Sequence, residues 1–328
     1  MKYKLGQWLI GCFVTMVSLT TGAWSQPIEQ LTINYIEVLS IPDQCTNQVH
    51  VYATVSDAVD SSILGLPAAA FKSIEDGREI DIDAVSKAID PMSIVLAIDS
   101  SGSMQARDKS GLTSMEAAKN AAADFISMLA QNDRVAVYSF NNEPVLLMDF
   151  SNDHQAAINT VKGLFAKQNA ATCLYDTAYA AVKKAAEIPR GRRAIVLLTD
   201  GKDEKAGRAC STHPVNDVID IATTKTIRVP IYTIGVGPQV DARELGRMAG
   251  LTGGRSLLAT SPVELQKFYQ IIADQLKNQY LVKYFTRTAS GEHSLVLKIE
   301  HEGRQVQDEK RFFSPPLPVL HSRRLSVL

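Results

Sequence analysis

The apolar run "SIVLAI" ends in a carboxylate, Asp99, and Ser100, Ser101 and Ser103 follow at once. Thr172 stands in the loop "NAATCLYDT", just before a helical pattern, and Asp200 closes a second apolar run, "AIVLLTD". Ligands of open α/β sheets bind beyond the carboxyl ends of the strands, so Asp99, Ser101, Ser103, Thr172 and Asp200 are placed to meet there. Together they offer two carboxylates and three hydroxyls, all hard oxygen donors. Such a set suits Mg²⁺, which takes about six oxygens in octahedral geometry and keeps waters readily. Mn²⁺ and Ca²⁺ are the alternatives. No histidine lies close in sequence to any of these positions, and Cys173 is the nearest soft donor. A serine-rich turn that merely caps a helix would explain the hydroxyls. It would not explain two carboxylates converging, because these repel each other unless a cation lies between them.

Catalysis by these residues is harder to support. Ser101 as a nucleophile would need a paired base, and neither a nucleophile elbow nor a neighbouring histidine is present. "GVGP" (Gly235 to Pro238) lacks the third glycine of a dinucleotide loop. His213 reads as a surface residue near the same end of the sheet. Lys202, Asp203 and Glu204 read as a solvated rim.

The elements that would hold these side chains can be read from periodicity. "MSIVLAID" and "RRAIVLLTDG" are continuously apolar, as strands are when helices cover both faces of their sheet. In "SMEAAKNAAADFISMLAQ", Met115, Ala118, Ala122, Phe125, Ile126 and Leu129 recur at helical spacing. "RVAVYSF", "VLLMDF", "VPIYTIGVG" and "GRSLLA" read as further strands. "DHQAAINTVKGL", "LYDTAYAAVKKAAE", "VNDVIDIATTK", "DARELGRMAG" and "SPVELQKFYQIIADQLKN" read as helices. This alternation predicts an α/β fold: a doubly wound, mostly parallel sheet with helices on both faces.

The flanks follow a different period. "QVHVYATV" alternates, with Val49, Val51, Ala53 and Val55 on one face and His50, Tyr52 and Thr54 on the other. "EDGREI" places a turn at Asp76-Gly77 between two strands. "QYLVKYFTR", "HSLVLKIEH" and "RQVQDEKRFF" read as three strands after the α/β region. The two β segments are small separately and sandwich-sized when joined. Because the α/β region begins and ends at the same edge of its sheet, it can sit as an insertion in one sandwich. Separate flanking pieces are the alternative. The expected divisions are a leader over 1–25, an N-terminal sandwich part over 26–90, the α/β domain over 91–278, C-terminal strands over 279–314 and a tail over 315–328.

The spacing Asp-x-Ser-x-Ser, the "ATCLYD" loop and the "LLTDGKDE" strand end together resemble the von Willebrand factor type A domain, over about Pro91 to Asn278. All five motif positions of that family's metal-ion-dependent adhesion site are matched. The resemblance implies direct coordination of Mg²⁺ by Ser101 and Ser103, with Thr172 joining in the ligand-bound state. Asp99 and Asp200 would coordinate directly or through water. It also implies an open position that a partner's carboxylate fills. "GLPAAAFKSIEDGREI" and "QYLVKYF" resemble the immunoglobulin-like flanks of bacterial secreted proteins of this kind.

"MKYK", then "LGQWLIGCFVTMVSL", then "AWS" read as an export signal, cleaved before Gln26. The apolar run is short for a membrane span of roughly 20 residues. An uncleaved anchor, or lipidation at Cys12 in "LIGC", are the other readings, and membrane attachment depends on them. The expected location is periplasmic or extracellular. Removal of the leader leaves Cys45, Cys173 and Cys210, an odd number. Cys173 follows Thr172, and Cys210 lies in the loop beyond Asp200, so the two are expected on the same face, where an oxidising compartment would let them bond. Two unpaired cysteines are the alternative. A net charge of −1 excludes nucleic acid as a bulk electrostatic partner.

These readings converge on a protein-binding module, not an enzyme, whose partner presents an exposed Asp or Glu to the cation. A scaffold or regulatory subunit of an envelope complex is the second reading. A metal-dependent hydrolase is the third.

Overall fold

A computed structural model describes residues 27–107, 111–224 and 227–317. The leader, the tail beyond residue 317 and the rim residues Asp108 and Lys109 lie outside the described residues.

The chain begins with strands β1 (Gln30–Ile41), β2 (Thr46–Ser56), β3 (Phe71–Glu75), β4 (Arg78–Ile80) and β5 (Ile82–Lys87). β3 and β4 form a hairpin across Asp76 and Gly77, whose φ values of 50° and 79° are the left-handed pair that an Asp-Gly turn supplies. The α/β region runs β6 (Met92–Asp99), α1 (Ser114–Ser127), β7 (Arg134–Phe140), β8 (Pro144–Ser151), α2 (His154–Lys162), α3 (Leu174–Ala186) and β9 (Arg192–Thr199). It continues with α4 (Val215–Ala222), β10 (Ile231–Val236), α5 (Ala242–Thr252), β11 (Ser256–Ala259) and α6 (Leu265–Lys277). Strands β12 (Tyr280–Thr286), β13 (Gly291–His301) and β14 (Arg304–Ser314) follow.

The six-stranded sheet has the order β11-β10-β9-β6-β7-β8. All neighbours are parallel except β8, which lies antiparallel at the edge beside β7. β6 is buried along its whole length, and its side chains alternate between two cores. Ile94, Leu96 and Ile98 pack with residues of α1 and α6, whereas Val95 and Ala97 pack with residues of α3, α4 and α5. A capping box starts α1: the Thr113 hydroxyl accepts from the Glu116 N–H at 3.1 Å, and the Glu116 carboxylate accepts from the Thr113 N–H at 2.9 Å. The chain leaves β6 toward one face and β9 toward the other. Asp99 and Asp200 therefore end adjacent strands at the switch point of the sheet.

The remaining strands form two four-stranded sheets, β1-β2-β12-β5 and β14-β13-β3-β4. Each sheet mixes strands from before and after the α/β region. Tyr280 of β12 pairs with Ala53 of β2 on one side and Lys87 of β5 on the other. Between the sheets, Val49, Val51, Ala53, Val55, Val282, Leu295, Leu297 and Ile299 form one core. The chain thus leaves a β-sandwich after β5 and re-enters it at β12. The second face of β2 is also covered: Tyr52 and Thr54 are buried, and Thr54 donates to Asn34, which in turn donates to Tyr232 of β10. Arg192 stitches the junction further through Gln279 (3.1 Å), the Asp90 carbonyl (3.1 Å) and the Leu276 carbonyl.

Candidate functional site

The site is built outward from the end of β6. Ser100 turns away from it, its N–H and hydroxyl both donating to the Phe140 carbonyl at 2.7 and 2.9 Å. This pins the chain so that Asp99 and Ser101 share the opposite side. A short 3₁₀ turn, Gly102–Gln105, then brings Ser103 back over the strand end, anchored by the fully buried Met104. The Ser101 and Ser103 hydroxyls lie 3.0 Å apart, and Ser103 donates to Asp200 Oδ1 at 2.6 Å. Asp99 is completely buried, held by the Ser101 N–H on Oδ1 (2.8 Å) and the Thr199 hydroxyl on Oδ2 (2.6 Å).

Thr172 arrives from the loop before α3. Its N–H and carbonyl pair with the Glu204 carbonyl and N–H, both at 3.0 Å, an isolated two-bond bridge between the loop before α3 and the loop after β9. A Cβ placed on Gly201 would sit 3.3 Å from the Thr172 hydroxyl and 3.9 Å from that of Ser103. Glycine at this position keeps the space between those two oxygens clear. All five oxygen-bearing residues named from the sequence therefore gather at one point.

The electrostatics of this point are unbalanced. Burial pushes the Asp99 carboxyl up, although the Thr199 and Ser101 hydroxyls and two backbone N–H groups oppose the shift. Burial, and then the Asp99 charge, push Asp200 up to about 7, against the Ser103 hydroxyl. Among the described residues no Lys, Arg or His forms an ion pair with either carboxylate. A divalent cation would supply the missing charge and accept the oxygen donors the site presents. The donor set thus fits a hard cation.

The supporting residues were less visible in the sequence. Thr199 is fully buried and orients Asp99. Asp203 is not a solvated rim residue: its carboxylate accepts from the Cys210 and Ser211 N–H groups at 3.1 and 3.0 Å, fixing the loop after β9. Lys202 and Glu204 are exposed, as a rim requires. Cys173 and Cys210 are disulfide-bonded, with Cα atoms 4.8 Å apart, and Cys45 remains unpaired. The bond joins the residue after Thr172 to the loop that Asp203 organises. His213 stacks on Tyr179 at 3.9 Å and meets Asp176 at 2.7 Å, a structural contact at the start of α3.

No histidine hydrogen-bonds Ser101, Ser103 or Thr172 among the described residues. Those at positions 50, 154, 213, 293 and 301 find partners elsewhere. A second acidic cluster, Glu75, Asp76 and His293, lies in the sandwich, where His293 Nδ1 meets Asp76 at 2.6 Å and Nε2 meets the Ala289 carbonyl at 2.8 Å.

The sequence model of the von Willebrand factor type A domain matches residues 94–202, the span from β6 to just beyond Asp200. Over these residues the chain is similar to the von Willebrand factor type A domain. A UPF0353 protein of Mycolicibacterium paratuberculosis is 32% identical over 204 residues. That match covers 56% of this chain and 60% of the relative, so the chain spans well under two thirds of its length. Among solved structures, a von Willebrand factor type A protein from Catenulispora acidiphila aligns over 89% of this chain and 75% of its own, with 15% identity and a TM-score of 0.49. Proximal thread matrix protein 1 of the mussel byssus, solved with zinc in its metal-ion-dependent adhesion motif, aligns over 62% of this chain and 50% of its own. Its identity is 16% and its TM-score 0.49. No described helix of the chain is long and apolar enough to cross a membrane.

Proposed function

We propose that this von Willebrand factor A domain binds Mg²⁺ through Asp99, Ser101, Ser103, Thr172 and Asp200, and uses the ion to hold a carboxylate of a protein partner. The observation that carries this reading is the pair of buried carboxylates, Asp99 and Asp200, linked through Ser101 and Ser103 and lacking a cationic side chain among the described residues. The ion would draw on neutral hydroxyls for much of its shell and so keep its affinity for an anionic oxygen on the open side. An exposed Asp or Glu is the natural ligand there. The same reading makes the protein a binding module, exported by its leader. The sandwich would present the domain, with its interleaved strands acting as one mount. The three hydroxyls lack the paired base that a hydrolase would need.

Calorimetric titration of the full chain with MgCl₂, followed by a pull-down from an envelope extract with and without EDTA, tests the reading. Saturable Mg²⁺ binding together with a partner released by EDTA is expected. Absence of Mg²⁺ binding removes the metal role. A partner retained in EDTA moves recognition to another surface.

A further inference from the structure

The other end of the α/β sheet carries the opposite charge. Arg193 lies at the start of β9 and Asp200 just past its end, so the two lie about 23 Å apart at ~3.3 Å per residue. Here β1 of the sandwich passes the foot of the α/β domain and leaves a cavity of about 330 Å³. We propose that this cavity is a binding site for a small organic oxyanion, a carboxylate or phosphate group attached to an apolar body.

Three arginines, Arg190, Arg193 and Arg228, line the cavity against one carboxylate, Glu37. Only Arg193 is tied down. It donates to the Ile188 carbonyl at 2.9 Å and to the Tyr35 hydroxyl at 3.0 Å, and its buried Nε has no partner. Arg190 and Arg228 make neither a hydrogen bond nor an ion pair among the described residues. Glu292 contributes to the field at Arg228 but forms its ion contact, at 3.9 Å, with Arg311. Burial lowers the affinity of Arg228 for its proton, the mark of a charge taken from water without a matched counter-charge. The buried Arg193 Nε and the half-buried Arg228 are costly to keep without a matched anion, and the exposed Arg190 stands at the mouth to meet one.

Guanidinium groups are suited to this task because their planar fork accepts a carboxylate or phosphate through paired, charge-assisted hydrogen bonds. The facing wall sets the rest of the ligand. Val38, Leu39 and Phe312 line it, so a ligand with an apolar body buries surface that a bare ion leaves wet. The ligand would touch β1 and the loops before β9 and β10 together, and so stabilise the junction of the two units. This inference is independent of the metal site.

Calorimetry of the full chain with inorganic phosphate, acetate and benzoate, at constant ionic strength in chloride, tests it. All three are expected to bind saturably at one site, with benzoate tighter than acetate. Arg228→Gln should weaken each about tenfold or more, as loss of a charge-assisted contact does. Arg190→Gln, on an exposed side chain that leaves the fold alone, should weaken them too. Asp99→Ala, at the far end of the sheet, should leave them unchanged. Absence of saturable binding by all three anions overturns the site. So does affinity unchanged from wild type in both arginine variants. Benzoate binding no tighter than acetate overturns the apolar half of the assignment.

Discussion

At the hairpin of the sandwich, Asp76 meets His293; at the carboxyl edge of the α/β sheet, Asp99 meets Asp200. In the first cluster the chain supplies its own cation. The Ala289 carbonyl can only accept, so His293 Nε2 carries a proton, and an ionised Asp76 requires a second proton on Nδ1. The result is an imidazolium–carboxylate pair, with the buried Glu75 beside it keeping one unpartnered oxygen. In the second cluster the chain supplies hydroxyls and backbone N–H groups, all of them neutral, and leaves the two carboxylates facing each other. The difference separates an acidic cluster with a cationic side chain in it from one that, on the proposed reading, takes its counter-charge from an ion. Counting carboxylates would not have told them apart, and tracing the counter-charge does.

The sharpest way to break this comparison is Asp99→Ala. The variant should lose Mg²⁺ affinity by a hundredfold or more in calorimetry. Its metal-free form should melt no lower than wild type, because a buried charge without a partner has been removed. Equal Mg²⁺ affinity in the two proteins would place the ion elsewhere. Next in size is the disulfide. Cys173 and Cys210 are separated by 37 residues, and opening that loop should cost about 4 kcal/mol of stability on loop-closure entropy. Denaturant midpoints of the native protein and the Cys173→Ser, Cys210→Ser double variant measure this. Finding both thiols free in the native protein by non-reducing mass spectrometry would discard it.

Thr199→Val asks a finer question, whether a residue behind the ligands positions them. Loss of the hydroxyl that holds Asp99 should weaken Mg²⁺ binding by about tenfold to a hundredfold, with the fold retained. Unchanged affinity would mean that Ser101 and backbone N–H groups orient the carboxylate unaided. The smallest effect belongs to the sandwich pair. Burial opposes the charge on His293, but the Asp76 contact, the Ala289 carbonyl and the Asp76 and Glu75 charges together raise its pKa above 6.5. A raised folded-state value means that the pair's contribution is complete below about 6.5 and fades as the pH climbs through the folded value. Asp76, lowered first by His293 and then by the Ser294 N–H, contributes above its ordinary 3.8 and loses that contribution only in acid. Melting temperatures should therefore drift down slightly as the pH rises above about 6.5, and His293→Gln should flatten that drift. A slope unchanged in the variant would assign it to another group.

Much of the candidate oxygen cluster was legible because its signals are local. An apolar run that stops at Asp99, hydroxyls two and four residues on, and a second run that stops at Asp200 are features of strand ends, and strand ends follow from periodicity. The Asp-Gly hairpin and the start of α1 were readable for the same reason, since turn and cap chemistry act over a few residues. Asp203 was not readable. A lone acidic residue beside a lysine and a glutamate looks solvated, and only the folded loop brings the Cys210 and Ser211 N–H groups onto it. Thr199 escaped notice because its partner is Asp99, a hundred positions away in the chain.

The sequence by itself determined which residues could ligate a hard cation and at which end of a parallel sheet they would stand, because side-chain chemistry and strand period are properties of short segments. Tertiary structure decided what faces what. It placed β12 between β2 and β5, and it covered the alternate face of β2 at Tyr52 and Thr54, which strand period alone cannot show to be buried. It also left Asp99 and Asp200 without a cationic side chain while giving Asp76 one. Counter-charges and burial are set by groups far apart in the chain. Only packing, which brings distant segments within a few ångströms, could fix them.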